Sequence, residues 1–384
     1  NTENAGCTSR QITMISSRRD SQAFVVPSLP TFLRGAVNLR SKHFCQRLKK
    51  HAYYSHRRRL PLLQRTLVAS SDFPQFLPIK ETSKLTEDLS IAQAKRFQRV
   101  NVSLSDDVVA STAFIHTEPR VPNLMSYVFP VVLLHGYDSN SLEFRRLQPV
   151  LSNGSFDTWS VDLLGFGFTD RTAFAGWRAY SKLNETLNPS LITRHLYNFI
   201  KQEIKRPVIL VGASLGGAAA IQFASEYPSA VHRLVLIDSA GHTALPSAVK
   251  FLPPPLDSWS MEYLRSEGLR RQALSLTYYD SRLGTQDALD CGRLHCTQPG
   301  YIEANVDFLK SGGFRVTDMI ESISHKTLIL WGAQDKILSP DLAGRFGKEI
   351  KDSVVHIIDQ CGHVPHVEKP REVAAFMEEF IAVP

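Results

Sequence analysis

Three residues far apart in the 384-residue chain have the types and the order that acyl transfer needs. Ser214 sits in Gly212-Ala213-Ser214-Leu215-Gly216, between the apolar run 208–211 and a stretch of small residues. So sharp a turn forces close backbone approach at both flanks, which glycine tolerates cheaply. It lifts the hydroxyl above a sheet edge, at the positive end of the helix that follows. A serine hydroxyl is a poor nucleophile at neutral pH until a base takes its proton and an acid orients that base. Downstream, Asp335 follows an apolar run in "LILWGAQDKI", and His363 follows another in "IIDQCGHVPH". The order serine, acid, histidine is the one expected when the nucleophile sits on a strand-to-helix turn.

These residues need a scaffold, and the chain supplies alternating elements. "RVNVSL" and "VVASTAFIHT" read as a leading hairpin. "PVVLLHG", "FDTWSVDLLG", "PVILVGAS", "VHRLVLIDSAG", "KTLILWG" and "SVVHIID" read as short, mostly buried strands. Between them, "SLITRHLYNFIKQEI" has helical spacing, with Leu191, Leu196, Phe199 and Ile200 on one face. "LGGAAAIQFASEYP" reads as a helix stopped by Pro228, and "PREVAAFMEEFIAV" as a closing helix with Pro370 in its first turn. Short strands alternating with helices imply an α/β fold with a mostly parallel, twisted sheet and helices on both faces. The rhythm breaks between Gly241 and Ser324, where mostly helical sequence implies a cap inserted between two late core strands. The expected organisation is therefore a core of residues 96–241 and 325–384 with a helical cap, 242–324.

Together, "VVLLHG", "VDLLGFGFTD", "VGASLGG", "LILWGAQD" and "CGHVPHVEKP" resemble the α/β-hydrolase superfamily, in its epoxide-hydrolase-like, esterase and C–C hydrolase branch. The resemblance covers roughly residues 95–384 and says little about substrate. With "GRLHC" and "SGGF" in the cap, the chain is also similar to plant plastid members of unassigned substrate. The resemblance implies Ser214 as nucleophile, Asp335 as acid and His363 as general base. It leaves Asp238, in "LIDSAG", as a rival acid and His366 as a rival base. The developing oxyanion needs donors, and the backbone N–H groups of Leu215 and of Tyr137, after His135-Gly136, would supply them. His135, Asp162 and Gly165 read as loop geometry. Ala213 stands where this branch often has His or Asn, without touching the three main residues. Serine at the turn argues against epoxide hydrolysis and haloalkane dehalogenation, which use a carboxylate nucleophile. The implied activity is cleavage of an ester or thioester of a small or lipophilic molecule. Its alternatives are C–C bond hydrolysis of a β-diketone-like compound, or a ligand-binding receptor on the same fold. No cofactor and no metal are implied.

Composition narrows the rest. An apolar fraction of 43% and a charged fraction of 21% belong to a globular protein with a sizeable core. No apolar run approaches the roughly 18 residues of a membrane-spanning helix. The net charge of +7 comes from the first 70 residues, which carry +11, while the remainder carries −4. The body has no basic patch of the kind that binds nucleic acid. Residues 1–70, rich in Arg and Ser and poor in acids, read as a transit peptide for the chloroplast, with the mitochondrion as alternative. Residues 71–95 read as a linker. Cys7 and Cys45 fall in the presequence, and Cys291, Cys296 and Cys361 form no disulfide framework, although Cys291 and Cys296 are close enough in sequence to pair. Phe251, Leu252, Trp259, Tyr278 and Tyr279 are candidates for an apolar pocket lid or for cap packing.

Overall fold

The computed structural model describes residues 72–120, 129–171, 186–242 and 251–382. The expected presequence lies outside the described residues, as do cap residues 243–250.

Among the described residues, eight strands form one sheet. They are β1 (Phe97–Ser105), β2 (Val108–Thr117), β3 (Val131–Leu134), β4 (Thr158–Val161), β5 (Val208–Ala213), β6 (Val231–Ile237), β7 (Thr327–Gly332) and β8 (Ser353–Ile358). Their spatial order is β1-β2-β4-β3-β5-β6-β7-β8. β2 runs antiparallel to both neighbours, and every other pairing is parallel. The continuous apolar runs follow from burial on both faces. In β5, Val208 and Leu210 join one apolar cluster, while Ile209, Val211 and Ala213 join the cluster on the opposite face.

The core helices are α1 (Asp88–Ala94), α2 (Leu147–Asn153), α3 (Pro189–Phe199) and α4 (Leu215–Glu226). The Asn188 side chain caps α3 by accepting from the Leu191 N–H, with Pro189 in the first turn. The predicted apolar face of α3 is buried, and its last turn widens into a π-helix over Ile200–Ile204. Helix α4 must lie almost on the strand ends to carry Ser214. Gly216 permits this, because a Cβ there would stand 2.2 Å from the Leu134 carbonyl oxygen. Alanines 218–220 keep the remaining contact thin.

Between β6 and β7 the chain forms α5 (Leu256–Leu264), α6 (Glu267–Thr277), α7 (Gln286–Arg293) and α8 (Tyr301–Ser311). Helices α9 (Asp341–Glu349) and α10 (Pro370–Ala382) follow β7 and β8. Cys291, Cys296 and Cys361 are buried free thiols.

Residues 72–95 differ from the expected linker. They form two short helical turns, Ile79–Thr82 and α1, and bury Phe73, Leu77 and Leu85 against Phe97, Phe168 and Leu294. The polar character that suggested a linker serves specific partners. Asp287 of α7 accepts from the Glu87 N–H (3.0 Å) and the Ser90 hydroxyl (2.7 Å). Glu87 in turn pairs with Arg145 (2.7 Å) and Arg146 (2.6 Å). This segment therefore straps the inserted helices to the core.

Candidate active site

Ser214 interrupts the passage from β5 to α4 with φ 51° and ψ −118°. A non-glycine residue in that region stores strain of about 1–3 kcal/mol and needs support from its surroundings. The support is visible: the Ser214 N–H donates to the Ile237 carbonyl, and the Ser214 carbonyl accepts from the Gly217 and Ala240 N–H groups, all at 2.9 Å. The turn is thus tied to the end of β6, and its hydroxyl is half-exposed.

Asp335 lies in the loop after β7. One carboxylate oxygen accepts from the N–H groups of Ile337 (2.7 Å) and Leu338 (3.0 Å). The other lies 2.7 Å from Nδ1 of His363. Burial acts to raise the Asp335 pKa, but the adjacent His363 and the two backbone donors outweigh it and hold the carboxylate below its ordinary range. His363, in the loop after β8, donates its backbone N–H to the Thr277 carbonyl at the end of α6 (2.8 Å). Its Nε2 is 3.0 Å from the Ser214 oxygen. Hydroxyl, imidazole and carboxylate thus stand in one hydrogen-bonded line, with both ring nitrogens engaged. Such a line can move a proton from the hydroxyl to the ring.

The two rivals are not part of this line. Asp238 is fully buried, and one of its oxygens accepts from the Gly332 N–H (3.0 Å). Burial and the Asp335 charge push its pKa well up, disfavouring the charged form. His366 places Nε2 3.0 Å from Glu143, at an angle poor for a hydrogen bond, and packs on the Phe144 ring. It has no contact with Ser214.

The loop after β3 brings Tyr137 to the serine, and a Cβ on Gly136 would sit 3.4 Å from that of Ser214. Among the described residues, the N–H groups of Tyr137 and Leu215 donate to no other protein group. Both are therefore available to an oxygen at the serine. His135 braces this loop, with Nδ1 2.8 Å from the Gly136 carbonyl and Nε2 accepting from the Leu163 N–H (3.2 Å). Asp162 accepts from the Ser141 N–H (2.6 Å) and the Phe168 N–H (2.5 Å), and Gly165 takes φ +86° in the same loop.

Two acids beside the site carried no signal that sequence reasoning used. Glu143 is half-buried and accepts from the Gly136 N–H (3.0 Å). Burial would raise its pKa, yet His366 and His135 bring it down to about 2. Asp138, next to Tyr137, is gripped by Arg270, His295 and Tyr301. A charged residue two positions after the His-Gly pair that follows an apolar strand was the available clue.

A cavity of about 390 Å³ opens on Ser214 and His363. The inserted helices contribute Leu274, Thr277, Tyr278 and Leu289 to its wall, facing Ile337 and Val364 of the core. Of the aromatic and apolar candidates for a lid, Tyr278 alone lines the cavity. Phe251, Trp259 and Tyr279 are exposed, and Leu252 is half-buried away from it. Trp259 points outward from α5, whose buried face carries Met261 instead. Asp238, Asp335 and His363 offer atoms within 4.8 Å of one another, as do Asp138, His295 and Cys296. In the first group both ring nitrogens of His363 already have partners, and in the second the Arg270 guanidinium sits on Asp138.

Comparison with known proteins follows the same lines. Residues 131–376 match the alpha/beta hydrolase family. The alpha/beta hydrolase domain-containing protein VTE7 of Arabidopsis thaliana is 35% identical over 319 residues, covering 83% of this chain and 93% of that protein. The 2-hydroxy-6-oxo-2,4-heptadienoate hydrolase of Pseudomonas putida is 29% identical over 265 residues, covering 66% of this chain and 89% of that enzyme. Among solved structures, a thermophilic esterase from Thermogutta terrifontis superposes with a TM-score of 0.59 at 21% identity, over 74% of this chain and 98% of that one. The meta-cleavage product hydrolase of Pseudomonas fluorescens IP01 gives 0.55 at 22% identity, over 73% and 97%. The chain belongs to the alpha/beta hydrolase family.

Proposed function

We propose that this protein is a serine hydrolase that cleaves a carboxylic ester or thioester of a lipophilic small molecule. The observation that carries the reading is the unbroken line from Ser214 through His363 to Asp335, at 3.0 and 2.7 Å. His363 Nε2 takes the Ser214 proton as the serine oxygen attacks the carbonyl carbon. Asp335 holds the ring in the tautomer that leaves Nε2 free to accept, and stabilises the imidazolium. The N–H groups of Tyr137 and Leu215 receive the oxyanion, each worth about two to three orders of magnitude in rate. His363 then protonates the leaving group, and water, deprotonated by the same ring, releases the acid. The inserted helices act as a cap. The apolar wall of Leu274, Tyr278, Leu289 and Ile337 favours a lipophilic substrate.

A second reading has support of its own, since relatives include dienoate hydrolases that this chain matches over 66% of its length. It uses the same residues to cut a C–C bond beside a ketone. The two separate in one assay on the full chain, with p-nitrophenyl and thioester substrates of rising acyl length against a 2-hydroxy-6-oxo-dienoate. The ester reading expects kcat/KM to rise with acyl length and to exceed that of the dienoate. A faster dienoate reaction reverses the order of the readings. One acylation without multiple turnover points to a receptor.

The same proposal places the protein in the chloroplast, supported by the +11 charge of residues 1–70 and the Arabidopsis relative. A fluorescent reporter fused after residue 70 is expected in chloroplasts of plant cells; a cytosolic or mitochondrial signal rules this location out.

A further inference from the structure

The loop that carries the Tyr137 N–H is held from two sides. On one, Glu143 accepts from the Gly136 N–H, fixing the peptide before it. On the other stands Asp138, a non-glycine residue at φ 51° whose side chain is only 11% exposed. Its carboxylate meets three donors from three separate elements of the insertion. Arg270 of α6 forms an ion pair with it, His295 Nε2 lies at 2.9 Å, and the Tyr301 hydroxyl of α8 donates at 2.7 Å. Arg270 also donates to the Gly292 carbonyl (2.9 Å). Burial brings His295 down to about 4, so the ring is neutral. Its partners then fix the tautomer: Nε2 carries the proton given to Asp138, and Nδ1 accepts from the Asn140 amide (3.2 Å). Asn140 donates as well to the Cys291 carbonyl of α7 (3.0 Å). The Tyr137 ring packs on Phe308 of α8.

This is far more than docking a cap requires. A buried carboxylate with three donors is costly to disturb, because each broken contact leaves a buried polar group unpaired. All of it converges on the residue next to the oxyanion donor, whose carboxylate is taken up by those three donors. We infer that Asp138 is a positioning residue through which the helical insertion aims the Tyr137 N–H, so that cap docking and oxyanion-hole assembly are one event. The inference rests on the reading of Tyr137 as an oxyanion donor. Its consequence is selective. A substrate that props the insertion away from Asp138 reaches Ser214 but meets a misdirected donor, and is hydrolysed slowly however well it binds.

The test is Asp138→Asn in the full chain, compared with wild type and Ser214→Ala on the best p-nitrophenyl ester. The kcat is expected to fall about 10–100-fold, short of or equal to the loss of a whole donor, with KM within about threefold. Inhibition by a trifluoromethyl ketone, which forms a tetrahedral oxyanion on the serine, is expected to weaken by the same factor. Inhibition by the product carboxylate stays unchanged, and a merely structural role predicts no such split. Arg270→Gln is expected to behave like Asp138→Asn, with the double variant no worse than the poorer single one. Should Asp138→Asn fail to fold, Tyr301→Phe removes one donor with little change of shape and is expected to stay folded at a lowered melting temperature and to lower kcat about 3–10-fold. Unchanged kcat and ketone affinity in the folded variant overturn the inference while leaving the hydrolase reading intact. Turnover that survives Ser214→Ala overturns the hydrolase reading itself.

Discussion

Ser214→Ala is expected to lower kcat/KM for ester hydrolysis by at least about 10⁴-fold, leaving only what the donors and binding contribute. The size follows from the geometry, since among the described residues the hydroxyl hydrogen-bonded to His363 Nε2 is that of Ser214, at 3.0 Å. Ser139 also lines the cavity, but it stands beside Glu143, whose pKa it helps to lower. The fold has little stake in the hydroxyl. The turn is held by backbone hydrogen bonds to Ile237, Gly217 and Ala240, none of which alanine removes. The melting midpoint should therefore shift by no more than the equivalent of about 0.5 kcal/mol. A stable variant that keeps a tenth of the activity would mean that another group attacks the substrate.

Asp335→Asn is expected to cost about 10³–10⁴-fold in kcat with KM little changed. An asparagine can still accept from the Ile337 and Leu338 N–H groups, so the loop keeps its shape. Its amide group then faces His363 Nδ1 and favours the tautomer with the proton on Nε2, where it cannot accept from Ser214. Asp238 is close but offers no rescue. Burial and the Asp335 charge disfavour its charged form, and one of its oxygens is held by the Gly332 N–H. The same argument gives a contrasting result for Asp238→Asn. Replacing an acid whose charged form is already disfavoured by a neutral amide should cost less than about tenfold. A large loss there with a small loss at Asp335 would exchange the two acids. Kinetics of the two purified variants, side by side with their thermal melts, decide between them.

The contrast between these positions and the strap shows what a sequence can carry. Ser214 and Asp335 each follow a strand buried on both faces, which announces itself as a continuous apolar run, and His363 follows the half-exposed edge strand β8, whose apolar residues also run together. A loop at the end of such a run has little freedom of place, so chain order alone brings the three together. The strap at 72–95 has no such rule. Its polar residues look solvated until Asp287, about 200 residues later, arrives to accept from Glu87 and Ser90. The role of Asp138 was hidden for the same reason, because its partners lie in three elements of the insertion. Residue type alone pointed to Trp259 and Phe251 as a lid, whereas helix phase turns Trp259 to solvent and leaves Tyr278 at the cavity. Local pattern fixes which elements form; which side chains meet depends on how the elements pack.

The account rests on an acyl group carried for a time by Ser214. Rapid acid quench of the full chain with a p-nitrophenyl ester, followed by digestion and mass spectrometry, reads that state directly. The peptide containing Ser214 is expected to gain the acyl mass during the burst, approaching one per chain, and the gain is absent in Ser214→Ala. Steady turnover with no acyl group on that peptide at any time would contradict the mechanism.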